Sequence, residues 1–250
     1  MRMRSTLLAL TLAATLPAIA QTAPNTLSAS EKAQGCHLLF DGKTSNGWRG
    51  DHSPTFPSTG WEVKDGMISV TEHGGEEGGN AGDIITTRKY ANFELLVDFR
   101  ITTGANSGIK YFVDPDLNKG PGSAIGFEYQ VLDDVNHPDA KKGIAGDRTM
   151  ASLYDMIAAA KNKPLHPIGQ WNTARIVVRG AHGEHWINGV KVVEYERFTP
   201  QFRKLVADSK YHVWPNFGEL HEGYLLLQDH GFPVSFRNIK IRELPPTPTK

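Results

Sequence analysis

Cysteine is nearly missing from this chain. Cys36 is the only one in 250 residues, so no intramolecular disulfide can form and the fold has to stand on its core alone. Charge of one sign is missing too. Basic and acidic residues number 27 each, and loss of the first twenty residues would remove Arg2 and Arg4, leaving 25 against 27. A balance near −2 gives no electrostatic footprint for nucleic acid, so no nucleic-acid partner is expected. Beyond the first twenty residues no apolar run is long enough to cross a bilayer, and no helical stretch joins a basic face to a large apolar one. Neither membrane insertion nor surface adsorption is expected. A G-x-S-x-G elbow, an H-x-x-x-H pair and clustered cysteines are all lacking, which removes support for a serine nucleophile or a zinc site of the usual spacing.

What is present begins with a basic start at Arg2 and Arg4, an apolar run from Leu7 to Ile19, and the small-x-small end Ala18-Ile19-Ala20. That order predicts a secretory signal peptide over 1–20 and a soluble protein in the periplasm or outside the cell. Residues 21–35, polar and small, read as a flexible lead-in, and the Pro- and Thr-rich 245–250 as a disordered tail.

Between them, residues 36–244 read as one domain of short strands. Leu38-Leu39-Phe40 is a short apolar strand. Trp61-Glu62-Val63 and Met67-Ile68-Ser69-Val70 flank Asp65-Gly66, the sequence of a type I′ hairpin turn. The glycine-rich, acidic 73–82 reads as a loop, and Asp83 to Thr87 as a strand. Phe93 to Ile101 alternates, with Phe93, Leu95, Val97, Phe99 and Ile101 on one face. Further strands are predicted over Asn106–Val113, Gly126–Asp134, Thr173–Arg179, His182–Glu196 with a turn at Asn188-Gly189, Gly223–Asp229 and Val234–Leu244. Helical material is expected only around Met156 to Lys161, and 197–222 reads as irregular. Many short strands, little helix and no repeats point to an all-β antiparallel sandwich of two sheets, a large jelly roll.

The stretch Gly126-Phe127-Glu128-Tyr129-Gln130-Val131-Leu132-Asp133-Asp134 is the centre of chemical interest. Strand parity sets Phe127, Tyr129 and Val131 on one face and Glu128, Gln130 and Leu132 on the other. The polar face continues through Asp133, Asp134 and His137, and similar groups recur at Glu184-His185-Trp186 and Gln228-Asp229-His230. Strand ends on a rigid β scaffold are where binding and catalytic groups sit. A sandwich glycanase would carry Glu-x-Asp-x-x-Glu on one strand; here Gln130 interrupts the acid row and Asp133 has the wrong parity. No cofactor is required, although His137-Pro138-Asp139, Asp229-His230 and the Asp133-Asp134 pair hold atoms that suit a divalent metal such as calcium. Trp186, Trp214, Tyr154 and Tyr129 are candidates for stacking on a sugar. Both a carbohydrate-cleaving enzyme and a non-catalytic carbohydrate-binding module fit these features.

Several motifs taken in order resemble one family. They are Leu38-Leu39-Phe40-Asp41-Gly42 with Gly47-Trp48, Asn106-Ser107-Gly108-Ile109, Glu128 to Asp134 with His137-Pro138-Asp139, Leu153-Tyr154-Asp155, Trp171-Asn172, Glu184 to Gly189, Leu227-Gln228-Asp229-His230-Gly231 and Phe236 to Arg242. From Leu38 to Leu244 the chain is similar to the DUF1080 family, also called the 3-keto-disaccharide hydrolase domain. Tyr224 departs from it, standing where a histidine is common. The resemblance implies a concanavalin-like jelly roll of the LamG and glucanase type. It implies cleavage of glycosides already oxidised at C3, and so a sugar 3-dehydrogenase acting upstream. A 3-keto group acidifies the C2 hydrogen, so a general base can remove it and an enolate can expel the C1 aglycone. On that footing Glu128 or His230 is the expected base and His137 or His185 the acid. Lys110 or Arg88 is the expected enolate cation, with Asn106, Gln130, Tyr154, Trp186, Gln228 and Asp229 binding substrate.

Overall fold

The structure, a computed structural model, describes residues 23–75, 82–120 and 122–246. The expected signal peptide, most of the glycine-rich loop and the end of the tail lie outside the described residues. In chain order the elements are α1 (Ala29–Ala33), β1 (Cys36–Leu38), β2 (Trp48–Gly50), β3 (Trp61–Lys64), β4 (Met67–Val70), β5 (Ile84–Thr86), β6 (Phe93–Ile101) and β7 (Asn106–Asp114). They continue with β8 (Ile125–Leu132), β9 (Asn172–Arg179), β10 (His182–Ile187), β11 (Val190–Glu196), α2 (Pro200–Asp208), β12 (Tyr224–Leu227) and β13 (Val234–Glu243).

Two antiparallel sheets face each other, as expected. The larger runs β11-β10-β9-β6-β13-β4-β3, with β1 also on β13; the smaller runs β2-β5-β12-β7-β8. β6 alternates buried and half-buried along its whole length, and its Phe93, Leu95, Val97, Phe99 and Ile101 enter the core. Ile109 and Tyr111 of β7 and Phe127, Tyr129 and Val131 of β8 meet them there. The rings pack edge to face, Tyr111 against Phe93 at 6.1 Å and against Phe127 at 5.6 Å. Asp65 at φ 51° and Gly66 at φ 74° close the β3–β4 hairpin as Asp-Gly predicts.

Helix is not where the sequence was expected to place it. Residues 156–161 form turns and extended chain, whereas α2 lies inside the segment read as irregular. Its start is marked by Thr199, whose hydroxyl accepts from Phe202 N, and by Pro200 in the first turn, a pair that pre-forms a helix entrance. The lead-in is also partly ordered. Ser28 and Glu31 form a reciprocal capping box on α1, and Asn25 is bonded to Asn238 and Gly66.

β8 is an edge strand, yet every residue of it is buried. The chain after it folds back over that edge. Ala151 N donates to Gln130 O (2.8 Å), Gln130 N to Ser152 O (3.2 Å) and Tyr154 N to Glu128 O (3.0 Å). This protects the edge from foreign strands and also roofs the outer face of the smaller sheet, turning an open polar face into a cleft.

Candidate active site

The cleft holds about 220 Å³ and is lined by Asn106 of β7, Glu128 and Gln130 of β8, and Gln228 and His230 just past β12. His137, Asp139, Lys142 and Tyr154 from the overlying chain and Lys210 beyond α2 complete it. Its floor needs a glycine. A Cβ on Gly108 would lie 2.9 Å from Glu128 Oε1 and 3.0 Å from Gln228 Oε1.

Glu128 and Gln130 are only 4% and 1% exposed. The Gln130 amide, oriented by its neighbours, donates to Glu128 Oε1 at 2.9 Å and to Ser107 O at 3.0 Å. Beside Glu128 on the neighbouring strand, Lys110 Nζ stands 3.8 Å from Oε2. The cleft's second carboxylate, Asp139, is tied up differently: it accepts from the Tyr154 hydroxyl (2.7 Å) and from Arg148 (3.2 Å). Arg148 reaches Asp155 as well, at 2.6 and 2.7 Å. Burial, with the Glu128 charge second, holds Tyr154 well above the usual phenol range, so its proton stays in place for Asp139.

His137 Nδ1 accepts from Asp139 N at 3.2 Å, which leaves the proton of the neutral ring on Nε2. Burial, with His230 beside it second, lowers the pKa of His137 and favours that neutral form. His137, His230 and Phe232 group their rings at 5.6–6.2 Å. Lys210 Nζ lies 4.3 Å from the Tyr154 ring centroid, and its backbone N donates to Asp155.

Of the expected site residues, the fold brings together Glu128, Gln130, Asn106, His137, Tyr154, Gln228 and His230. Two others stand outside the lining. Lys110 is 4% exposed, with Nζ on Ser123 Oγ and on Ala124 O at 3.2 Å, so it does not reach an enolate in the cleft. Asp229 is fully buried, accepting from Gly231 N and lying 3.3 Å from His73 Nε2. It anchors its turn and binds no substrate.

Three expectations are overturned outright. His185 is 0% exposed between the sheets, with Nε2 on the Tyr111 hydroxyl (2.8 Å) and Nδ1 on Ala151 O (3.0 Å); burial pushes its pKa down to about 4. It is a core histidine, not the acid. Trp186, one residue on, points to the outer face of the larger sheet, where its indole donates to Glu184 and Arg175 stacks on it at 4.6 Å. Arg88 pairs with Glu243 and lies over Tyr90 at 4.4 Å, outside the cleft lining.

In the calcium-type set, the Asp133–Asp134 pair already has its oxygens engaged by donors within the chain. Asp133 accepts from Gly104 N, Val135 N, and Asn136 N and Nδ2, which together outweigh burial and hold its pKa low. It braces the loop that carries His137, whose N donates to Asp133 O. Asp134 accepts from Met150 N and pairs with Lys163 at 2.7 Å. Among the described residues, the one His/Asp/Glu group with ligand atoms within 4.8 Å of each other is His182, Glu184 and Glu194, on the outer face of the larger sheet.

Sequence reasoning missed Lys142 and Lys210, and the tie between Asp139 and Arg148. Lys210 lay in a segment with no strand pattern to place it. Gly108 had a signal in Asn-Ser-Gly inside a strand, since glycine there marks a close approach.

Comparison with known proteins places the chain in a family. Residues 35–242 match the family described as the 3-keto-alpha-glucoside-1,2-lyase-like domain. A 3-keto-disaccharide hydrolase of Bacteroides thetaiotaomicron is 40% identical over 232 residues, covering 85% of this chain and 79% of that one. Two crystal structures from Parabacteroides distasonis that carry glycosyl hydrolase assignments are similar in fold. One has 30% identity and TM-score 0.76 over 89% of this chain, the other 26% and 0.60 over 80%, and each is covered in full. The chain belongs to the 3-keto-alpha-glucoside-1,2-lyase-like family.

Proposed function

We propose that this glycoside-cleaving enzyme acts on glycosides oxidised at C3 and opens them by elimination. Its relatives' names supply the substrate class, and the observation that carries the chemistry is the cleft itself. Two buried carboxylates, Glu128 and Asp139, and two imidazoles, His137 and His230, line a pocket floored by amides. Asp139, engaged by Tyr154 and Arg148, leaves Glu128 without a second working acid of the kind a two-carboxylate glycosidase needs.

In this reading Glu128 takes the C2 proton, and the C2–H electrons form the enolate, with charge on the C3 oxygen. The Nε2–H of His137 and the Lys210 ammonium face that oxygen and stabilise it. Collapse of the enolate breaks the C1–O bond; the electron pair leaves on the aglycone oxygen, which takes a proton from His230. The products are a 2-hydroxy-3-keto-glycal and the free aglycone, and water can then add to the glycal. Asn106, Gln130 and Gln228 hold ring hydroxyls. Export to the periplasm or beyond, and supply of substrate by a C3 dehydrogenase, belong to the same proposal.

A 3-keto-glucoside with a chromogenic leaving group, set beside its unoxidised parent, tests it. Colour from the keto-glucoside alone is the expected result. Colour from neither overturns the proposal, and colour from the parent alone makes the protein a conventional glycosidase.

A further inference from the structure

Beside the cleft floor, on the same outer face of the smaller sheet, runs a line of buried polar groups that none of these steps uses. Lys110 Nζ stands 3.8 Å from Glu128 Oε2 and donates to Ser123 Oγ and to Ala124 O (3.2 Å). Ser123 Oγ in turn donates to Asp83 Oδ2, and Asp83 Oδ1 accepts the backbone N–H of Asp229 at 2.8 Å. Asp229 is the residue between Gln228 and His230, both of which line the cleft. The line therefore ties the carboxylate on one wall to the turn that carries the imidazole on the other.

Each member is held nearly dry. Lys110 and Glu128 are 4% exposed and Asp83 is 1%. Burying a lysine this deeply is unfavourable unless anions compensate it, so a purely structural site would more readily hold an apolar side chain. Asp51 is close enough to feel the Lys110 charge, and burial raises its pKa. Burial also pushes the Asp83 carboxyl up to about 7, with the Lys110 ammonium pulling the other way.

We propose that Lys110 is a positioning residue that acts through Glu128, with Ser123 and Asp83 fixing its ammonium beside the carboxylate so that the carboxylate stays aimed at the C2 proton. This rests on the elimination reading. Lys110 touches no substrate; it orients the base and supplies a buried cation beside it. Glu128 meets that ammonium from β7, the Gln130 amide from its own strand, and Tyr154 from the overlying chain. Misplacement of a catalytic group by about 1 Å costs on the order of 10²-fold in rate, which sets the expected scale.

The test is a double-mutant cycle on the full chain with the chromogenic 3-keto-glucoside. Glu128→Gln is expected to lower kcat by about 10²-fold or more. Lys110→Met is expected to lower kcat by about 10- to 10²-fold with KM within about twofold, because the lost interaction serves the transition state and not binding. Residues that act as a unit are not additive, so Lys110→Met with Glu128→Gln should be no slower than Glu128→Gln alone. A lysine with only a structural part to play, or one with its own contact to substrate, would give additive losses, and that result overturns the proposal.

Exchange of the C2 hydrogen in D₂O, followed by NMR, should slow in Lys110→Met in step with cleavage. If Lys110→Met fails to fold, Ser123→Ala removes a single hydroxyl from the same line. It should keep its circular dichroism and lose about three- to tenfold in kcat, again with no further loss on top of Glu128→Gln. Ser123→Ala at the wild-type rate overturns the proposal, as does Lys110→Met within twofold of wild type. A wild type inert toward the keto-glucoside sinks the elimination reading itself, which separates the two failures.

Discussion

Strands β8 and β10 carry similar residues, Glu128-Tyr129-Gln130 in one and Glu184-His185-Trp186 in the other, and both alternate between core and outer face. In β8 the acid sits under a roof made by the chain that returns along the strand edge, in a cleft with two imidazoles. In β10 the acid faces outward among His182, Lys191 and the Trp186 indole, and the imidazole is turned into the core. Parity decides which side of a sheet a residue takes. What lies over that side decides whether it can work, because a partner bond in water is worth little and a dry, preorganised one a great deal.

The sharpest way to break this comparison is to neutralise both acids. Glu128→Gln should cost about 10²-fold or more in turnover, while Glu184→Gln, which loosens a half-open group of surface charges, should stay within twofold. Equal effects in steady-state kinetics would mean the roof over β8 confers nothing.

Next in size is a pair of buried titratable groups with opposite pH windows. His185 has its pKa pushed down to about 4 by burial from an ordinary 6.5, so the fold favours the neutral ring. Its contribution is present above 6.5 and is lost as pH falls toward 4. Asp83 has its pKa pushed up to about 7 from 3.8, so the fold favours the protonated acid. Its contribution is present below 3.8 and is lost as pH rises through 7. At about 1.4 kcal/mol per pH unit of displacement, the upper bound is roughly 3 kcal/mol for His185 and roughly 4 kcal/mol for Asp83. Denaturant unfolding across pH should show Asp83→Asn flattening the alkaline fall and His185→Phe flattening the acid one. If either variant keeps the slope of the wild type, that group is not the source.

How much of this was legible follows from the same contrast. Strand limits, hairpin turns and the core face of β6 and β8 came through because period-two alternation and Asp-Gly or Asn-Gly turns are local signals. Glu128, Gln130, Asn106 and Gln228 were found because they sit on regular strands or at their ends. His185 was misplaced because its polar ring sits at an inward position of β10, where the Tyr111 hydroxyl and Ala151 carbonyl satisfy it across the core. Lys142, Lys210 and the Asp139–Arg148 tie depend on how loops fold back, which no short-range pattern encodes. The α2 start is a local signal of another kind, a Thr199 cap followed by Pro200 in the first turn. Thr199→Ala should cost about 1 kcal/mol, read from the denaturation midpoint, as the loss of an N-cap does.

The smallest expected separation lies in two strand glycines, one from each sheet. Gly183 of β10 faces the core, where a Cβ would fall 2.1 Å from Cζ of the Tyr195 ring. That ring is packed on Phe202 and its hydroxyl is bonded to Tyr111 at 2.6 Å, so it has nowhere to go. Gly108 of β7 faces the cleft, and its added Cβ would crowd Glu128 at Oε1 and Cγ and Gln228 at Oε1, two side chains that border the open cleft. Gly183→Ala should therefore lose about 1–3 kcal/mol of stability, because overpacking a filled core forces rings off their rotamers. Gly108→Ala should melt near the wild-type temperature and lose about tenfold in kcat, since the shift it forces falls on the base. Reversal of the two outcomes, in thermal melts and turnover measured side by side, would put the working face on the other sheet.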